Sequence, residues 1–403
     1  MNGELRAAAA HLAFLTGDGD LVARIKTMAA AQEGVAATTA LSTALAAALN
    51  APPPADGGGD ATKPAGGSDL EGCVQVLLSL VKTVCAMDAA VVTHVARSLS
   101  GGDGAGSLRL RSMALLYNSV PEQATTVRYG LLLDTIRLAA RVGRVDMVAD
   151  SVVPQLGRYI QAWGLSKATS GELYGAAYDA LAGVGGGVYA AAAFDVNFLR
   201  LKTLNGGDDA ALDAARAPAM AAIAAAVGLP TMFRFDTLLE LDAVTRLRDA
   251  GDGAAATLFR LLDVFVNGVL PDWTSFVGGA GVAAALAGAG VDVDAAVHKM
   301  RLLSLTSLGL DSQQLTYDAI AAALDVPAGE VEEWVIRAIG LDLIDAKMNQ
   351  LDRTVAVHRS TQRSFSKEEW RPLSERINVW KENVAELMIT LAEARNSRKS
   401  PFV

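Results

Sequence analysis

Hydrophobic residues recur with a helical period along most of the chain before residue 290. An alanine-rich helical pattern covers residues 21–49, and the period resumes at Leu70. Farther along, apolar stretches of medium length alternate with short turns, such as those at Gly143 and Gly164. A Tyr-Gly pair recurs 45 residues apart, at Tyr129 and Tyr174, as it does in degenerate helical-hairpin repeats. The pattern predicts a stacked array of helices with a surface for partners.

The pattern changes between residues 291 and 365. A helical stretch is interrupted at residues 311–314, after which Thr316 can N-cap a short second helix. Pro327 is placed to lie in the first turn of a third helix, where proline loses no hydrogen bond. Apolar and polar positions then alternate with period two on both sides of a turn at residues 351–353. Three helices followed by a hairpin indicate a winged helix. The apolar stripe of its third helix comprises Val331, Trp334, Val335, Ala338 and Ile339.

A different pattern follows near the end of the chain. Apolar residues are separated alternately by three and four positions, which is the a/d pattern of a coiled coil or helical bundle. A helix that packs on its own domain usually shows a wider stripe with a period of 3.6 residues. We therefore expect this helix to form a protein interface with other long helices. The predicted interface residues, here called the seam, are Trp370, Leu373, Ile377, Trp380, Val384, Leu387 and Leu391, with Ala394 continuing the spacing.

The segment from the second helix through the hairpin resembles the PCI domain. This module is shared by scaffold subunits of the proteasome lid, the signalosome and eukaryotic translation initiation factor 3. Within the family, the likeness is strongest to the initiation factor, and it extends to residues 298–308 and 368–387. The segment that carries the resemblance reads LTYDAIAAALDVPAGEVEEWVIRAIGLDLIDAKMNQLDRTVAV.

Pattern and resemblance together imply a mainly α fold. We expect a right-handed helical-repeat solenoid of the tetratricopeptide or HEAT type, then a winged-helix PCI module and a long C-terminal helix. A stretch rich in Pro, Gly and Asp has no large apolar residue and is predicted to be a disordered linker. The predicted divisions are an N-terminal helical segment at 1–50, the linker at 51–69, the solenoid at 70–290, the winged helix at 291–365, and the C-terminal bundle helix and tail at 366–403.

Composition narrows the possible functions. Hydrophobic residues make up 51% of the 403 residues and aromatic residues only 5%, so small side chains must fill closely packed helices. The net charge of −9 argues against bulk attraction to nucleic acid or to an anionic membrane. Cys73 and Cys85 have neither zinc-site nor redox-site spacing, which fits a reducing cytosol. We expect a cytoplasmic protein without a membrane partner.

No sequence motif points to catalysis. The chain lacks phosphate-binding, dinucleotide-binding, zinc-protease and nucleophile-elbow signatures. Its four histidines are scattered, with no second ligand at metal-site spacing. The paired carboxylates at residues 332–333 and 368–369 favour helix N-termini, which explains them without acid–base chemistry. We therefore expect a protein that is not an enzyme, with no catalytic residue, cofactor, metal or small-molecule substrate.

A basic cluster beside the hairpin is the one candidate for direct RNA contact. Winged helices can place the hairpin on a nucleic-acid backbone, but basic residues also discourage edge-to-edge strand pairing. The pattern favours a solvated edge, because so few charges give only weak, salt-dependent binding and no aromatic residue lies in the hairpin for base stacking. The possible RNA contacts are Arg353, Arg359, Arg363 and Lys367.

The resemblance implies a non-catalytic scaffold subunit of initiation factor 3. Such a subunit supports assembly of the pre-initiation complex and recruitment of messenger RNA on the small ribosomal subunit. Its partners would be other PCI and MPN subunits, bound through the winged-helix edge and a helical bundle, with ribosome and messenger RNA contacted indirectly. The alternatives are a PCI scaffold subunit of the signalosome or proteasome lid, and a winged-helix module that binds RNA directly.

Overall fold

Helices account for nearly all of the regular structure, as the hydrophobic period predicts. The structure is a computed structural model that describes residues 3–31, 33–50, 67–102, 104–249, 253–363 and 370–397. The chain divides into two compact units, Met1–Leu204 and Asn205–Val403. The predicted mainly α architecture, a helical array followed by a winged helix and a long C-terminal helix, is confirmed.

The first unit is all helical in its described residues. Short turns join most of its helices, and two 3₁₀ turns lie at Val153–Gln155 and Gly185–Gly187. Its α-helices are α1 (Gly3–Thr16), α2 (Leu21–Ala30), α3 (Gly34–Asn50), α4 (Gly67–Thr83), α5 (Ala89–Ser100), α6 (Gly106–Ser119), α7 (Thr125–Val142), α8 (Asp146–Ala149), α9 (Leu156–Trp163), α10 (Lys167–Ala182) and α11 (Ala190–Thr203).

Local sequence sets the ends of these helices. The Asp88 carboxylate accepts hydrogen bonds from the N–H groups of Ala90 and Val91 at 2.8 and 3.2 Å and so begins α5. Gly143 and Gly164 adopt left-handed conformations, with φ of 70° and 60°, and end α7 and α9. The turns predicted at these two glycines are confirmed.

A buried cation joins two helix ends in the first unit. Arg109 on α6 is fully buried, and its guanidinium donates to Leu99 O at the end of α5 at 2.6 Å. It also donates to the side-chain oxygen of Asn50, the last residue of α3, at 2.8 Å. The last carbonyls of a helix lack partners within the helix and carry partial negative charge, so a guanidinium satisfies them well.

The second unit combines shorter helices with one small sheet. The unit contains a 3₁₀ turn at Arg246–Asp249 in addition to its α-helices and strands. Its α-helices are α12 (Asp209–Ala214), α13 (Arg216–Gly228), α14 (Asp236–Leu239), α15 (Asp242–Thr245), α16 (Gly253–Asn267), α17 (Leu270–Val277), α18 (Val282–Gly288), α19 (Val293–Asp311), α20 (Tyr317–Leu324), α21 (Val331–Gly340) and α22 (Trp370–Ser397). Its strands are β1 (Gln314–Thr316), β2 (Ile344–Asn349) and β3 (Thr354–Ser360).

The winged helix comprises α19, α20, α21 and an antiparallel sheet in the order β1-β3-β2. Leu315 pairs with Val355 on one side of β3, and Met348 pairs with Val355 on the other. The apolar faces of the three helices and the sheet form one core, in which Ile320 and Val335 are fully buried. The wing, which is the hairpin of β2 and β3, therefore packs on the helices through one face only.

The winged-helix prediction is correct in its main elements. The Thr316 hydroxyl accepts a hydrogen bond from Ala319 N at 3.2 Å and N-caps α20, as the sequence predicts. The predicted turn separates β2 from β3. Val331, Trp334, Val335 and Ala338 are buried as predicted.

Three details of that prediction were wrong. Strand β1 begins at Gln314, the last residue of a stretch interpreted only as a break, since three residues are too short to show alternation. Pro327 lies four residues before α21, in a turn where its carbonyl accepts from Glu330 N at 2.9 Å. Ile339 is 37% exposed, because the buried stripe of α21 is narrower than its apolar sequence.

The predicted divisions of the chain stay predictions. The boundary between the compact units falls at Leu204 and Asn205, within the range predicted for the solenoid. Most of the predicted linker, residues 51–66, lies outside the described residues, and Gly67 begins α4.

Candidate interaction surfaces of the winged helix and the C-terminal helix

The wing places Arg353 and Arg359 at opposite ends of β3. Arg353 ends the turn before the strand, with a φ of 51°, and its guanidinium lies 5.9 Å from the centre of the Tyr317 ring. Arg359 forms an exposed ion pair with Asp342. Exposed ion pairs contribute little to stability, so Arg359 remains accessible to another anion. Both residues therefore stay candidates for RNA contact.

Arg363 does not lie on the surface with the other two arginines. It is 9% exposed, and its guanidinium donates to Phe265 O and Gly268 O at the end of α16 and to the hydroxyl of Ser307 on α19. Burial lowers its pKa to about 10. These contacts contradict the prediction that Arg363 binds RNA, because its guanidinium is buried and hydrogen-bonded inside the second unit. Lys367, the fourth predicted contact, lies outside the described residues.

The exposed face of α21 is poorly suited to nucleic acid. Winged helices that bind DNA or RNA need a basic surface. Here the exposed Arg337 is paired with Glu333 at 2.9 Å, and Ile336 is 57% exposed. Glu332 accepts from the hydroxyl of Tyr317 at 3.1 Å. The arrangement fits a protein surface better than a phosphate backbone.

An aromatic and cationic cluster joins α21 to α19. The rings of Trp334 and His298 have centres 4.3 Å apart, and the guanidiniums of Arg337 and Arg301 lie 5.4 and 5.6 Å from the Trp334 ring. Partial burial lowers the pKa of His298, and the two neighbouring guanidiniums lower it further. A neutral imidazole can accept from Arg337, whose Nη1 lies 2.8 Å from Nε2 of His298. The cluster stabilises the contact between the two helices.

The C-terminal helix α22 differs from α21 in that its described apolar residues are exposed. Its 28 residues span about 42 Å, and every described side chain on it is exposed. The seam residues Ile377, Trp380, Val384, Leu387 and Leu391 are between 38% and 72% exposed. The side chains of Trp370 and Leu373 lie outside the described part of the structure. Among the described residues, no other part of the chain buries these five seam residues.

Exposed apolar residues also lie off the seam. Val379, Met388 and Ile389 are 55%, 67% and 59% exposed. They fall between seam positions and so lie outside the 3.5-residue period. Ile389 lies on the side of α22 opposite the seam. The helix thus offers apolar surface in more than one direction.

The described residues contain little that resembles a site for chemistry. Among them, no group of three or more His, Cys, Asp and Glu side chains could hold a metal ion. In that same part of the chain no helix is both long and apolar enough to cross a membrane.

Comparison with known proteins gives a consistent result. The PCI domain family matches residues 291–359, which contain all of α19, α20 and α21 and most of the wing. The chain is 30% identical to eukaryotic translation initiation factor 3 subunit M of Phaeosphaeria nodorum over 71% of this chain and 63% of the relative. The values for subunit M of Aspergillus terreus are 30%, 74% and 64%, and for that of Dictyostelium discoideum 28%, 83% and 81%.

These alignments set the extent of the similarity. The chain spans slightly less than two thirds of the length of the first two relatives and about four fifths of the third. The aligned shares of this chain exceed the winged helix alone, so the helical region contributes as well. The resemblance predicted from the sequence is confirmed: the chain carries a PCI domain and is similar, over most of its length, to subunit M of eukaryotic translation initiation factor 3.

Proposed function

We propose that the chain is a non-catalytic, cytoplasmic scaffold subunit of the translation initiation factor 3 complex. In this role it supports assembly of the pre-initiation complex and recruitment of messenger RNA on the small ribosomal subunit. Its direct partners are other PCI and MPN subunits, and it reaches the ribosome and messenger RNA through them. Similarity to subunit M and the PCI domain support the proposal.

The exposed seam of α22 is the observation that carries the proposal. Large apolar side chains gain roughly 1.5–3 kcal/mol each on full burial. The five described seam residues thus offer on the order of 10 kcal/mol of gross stabilisation if other helices cover them. Association costs roughly 4–15 kcal/mol in lost rigid-body freedom, so α22 alone would bind modestly. An isolated helix with this much apolar surface is best explained by a helical bundle.

The edge of the winged helix supplies a second contact. In the sheet order β1-β3-β2, strand β2 pairs on one side with β3 and has no strand on its other side among the described residues. Its other side presents backbone N–H and C=O groups to which a neighbouring subunit can bind. Two weak attachments on one subunit raise each other's effective concentration. We propose that α22 and the free edge of β2 together hold the subunit in the complex.

A charge placed in the seam tests the proposal. Leu387→Asp should weaken association on the order of a hundredfold, because an unpaired carboxylate is costly to bury. Asn378→Asp introduces the same charge at an exposed position of α22 outside the seam and should associate normally. Tagged full-length chains are expressed in cells, and proteins that purify with them are quantified by mass spectrometry. The wild type and the control should retain initiation factor subunits and small-subunit ribosomal proteins.

Other outcomes identify the alternatives. Recovery of deneddylase or protease subunits in place of ribosomal proteins would assign the chain to the signalosome or proteasome lid. Normal incorporation of Leu387→Asp, with its circular dichroism unchanged, would show that the seam is not the attachment. Salt-dependent binding of RNA by the free chain, lost on charge reversal at Arg353 and Arg359, would favour the RNA-binding module.

A further inference from the structure

A polar cleft of about 520 Å³ lies in the first unit, between α7, α10 and α11. Arg137 and Arg141 on α7 form one wall, and Arg200 on α11 forms the other. Helix α10 forms the floor with small residues, among them Gly171 and Gly175. The cleft lies outside the PCI domain and is far in sequence from α22.

Gly175 has a specific structural reason to be glycine. Glycine inside a helix is less stable than alanine, because its unfolded backbone has more freedom to lose. A Cβ atom at residue 175 would lie only 3.3 Å from Cζ of Arg200. The missing side chain therefore lets the Arg200 guanidinium lie closely against α10, beside the cleft.

The charges in the cleft are not equally available. The Glu172 carboxylate accepts from the hydroxyl of Tyr129 and from Arg137, both at 2.8 Å, so its charge is already compensated. Arg200 is half-buried, and its guanidinium has no hydrogen bond or ion pair with the described residues. A partly desolvated cation without an acceptor is costly, and an external carboxylate would relieve that cost.

We propose that this cleft binds a short acidic peptide segment of a partner protein, with Arg200 contacting a carboxylate of that segment. The floor from Gly171 to Ala180 is about 14 Å long, enough for about four extended residues. A peptide fits the site better than RNA. None of the lining residues is an aromatic that could stack on a base, as a site for single-stranded RNA requires. The proposal does not depend on which assembly contains the chain.

Binding of defined probes to the full chain tests this site. The probes are a fluorescein-labelled eight-residue peptide with four glutamates, the same peptide with glutamines, and an eight-nucleotide oligouridine, each measured by fluorescence anisotropy. The acidic peptide should bind at least tenfold more tightly than the glutamine peptide. Arg200→Gln should remove about tenfold of that affinity. Lys202→Gln, which removes the same charge from an exposed position of α11, should bind as the wild type does.

Gly175→Ala separates binding from folding. Alanine favours the helix, so thermal stability should not fall, whereas the added methyl group displaces the Arg200 guanidinium and should weaken acidic-peptide binding severalfold. Equal affinity for the two peptides, or unchanged binding by both Arg200→Gln and Gly175→Ala, would overturn the proposal. Oligouridine binding that depends on Arg200 would overturn it in favour of RNA.

Discussion

The winged helix and the C-terminal helix use apolar residues for opposite purposes. In the winged helix, the core residues of α19, α20, α21 and the sheet are at most 6% exposed. In α22, the described seam residues are at least 38% exposed. Both segments contain Trp, Leu, Ile and Val, so composition does not distinguish them. The winged helix covers its apolar stripes with its own core, whereas the described apolar residues of α22, both on and off the seam, are exposed.

Polar groups show the same contrast. Lys299 on α19 is buried, and its ammonium donates to Ala226 O at 2.8 Å and to Leu229 O, at the end of α13. The rings of Phe233 and Phe235 lie 5.7 and 5.5 Å from the same ammonium. On α22, the Thr390 hydroxyl donates to carbonyls within its own helix. The buried ammonium of Lys299 is thus satisfied by carbonyls far away in the chain, whereas the exposed hydroxyl of Thr390 is satisfied within α22.

A matched pair of tryptophans gives the largest expected effect. Trp334→Ala should lower the free energy of unfolding by about 3–5 kcal/mol, because the ring is buried in the winged-helix core. Trp380→Ala should change it by less than about 0.5 kcal/mol, because that ring is 72% exposed, while weakening retention in the complex. Urea unfolding of each free variant, followed by circular dichroism, measures the free energy of unfolding. Purification of tagged chains with their partners measures retention in the complex.

Equal destabilisation by the two changes would contradict the difference in burial between the two tryptophans. It would show that α22 packs on its own chain in solution. Loss of stability from Trp334→Ala alone, with loss of association from Trp380→Ala alone, would show that the winged-helix core serves folding and that α22 serves assembly.

The sequence predicted the winged helix well where the signals are local. The Thr316 cap, the buried stripe at Val331 and Val335, and the alternation in β2 and β3 each depend on residues a few positions apart. Strand β1 was missed because it exists only through pairing with β3, some forty residues later. Helix ends and strand periods can be predicted from a single sequence, but a three-residue strand depends on its pairing partner.

The functional surfaces show the same limit. Spacing alone predicts the seam of α22, whose described residues are exposed, and its role as an interface stays a prediction. The burial of Arg363 could not, since its acceptors Phe265 and Gly268 are 98 and 95 residues away in the chain. Arg200 was missed for the same reason, although an interior glycine at position 175 was a usable signal. Basic residues near one another in sequence were wrongly grouped because only the folded chain shows which are buried.

A matched pair of lysines tests the polar contrast through pH. Burial lowers the pKa of Lys299 from 10.5 to about 7. Between those values the unfolded chain binds more protons at this site than the folded chain, so unfolding becomes less favourable as pH rises. Relative to Lys299→Met, the wild type should gain about 2 kcal/mol of stability between about pH 7 and pH 9. Lys381→Met, at an exposed position of α22, should keep the wild-type pH dependence.

Parallel urea titrations of the three chains at both pH values give this difference. A difference in unfolding free energy between wild type and Lys299→Met that stays constant with pH would contradict this prediction, since it would mean that the ammonium stays charged throughout. In that event the two carbonyls and two rings compensate its burial fully.

A matched pair of threonines gives the smallest effect and isolates a single hydrogen bond. The Thr316 hydroxyl accepts from Ala319 N and so satisfies one of the free N–H groups at the start of α20. Thr316→Ala should therefore cost about 1 kcal/mol of unfolding free energy.

Thr390 lies in the interior of α22 and bonds back to Glu386 O and Leu387 O at 3.2 and 2.9 Å, carbonyls that also belong to the helix ladder. Thr390→Ala should leave the unfolding free energy unchanged and slightly raise the helical signal, because alanine is the better helix former. A loss of stability at Thr390 as large as that at Thr316 would mean that the free chain holds α22 against its own surface. The two replacements delete the same atoms, so a difference between them reports where the chain is folded on itself and where it is held for a partner.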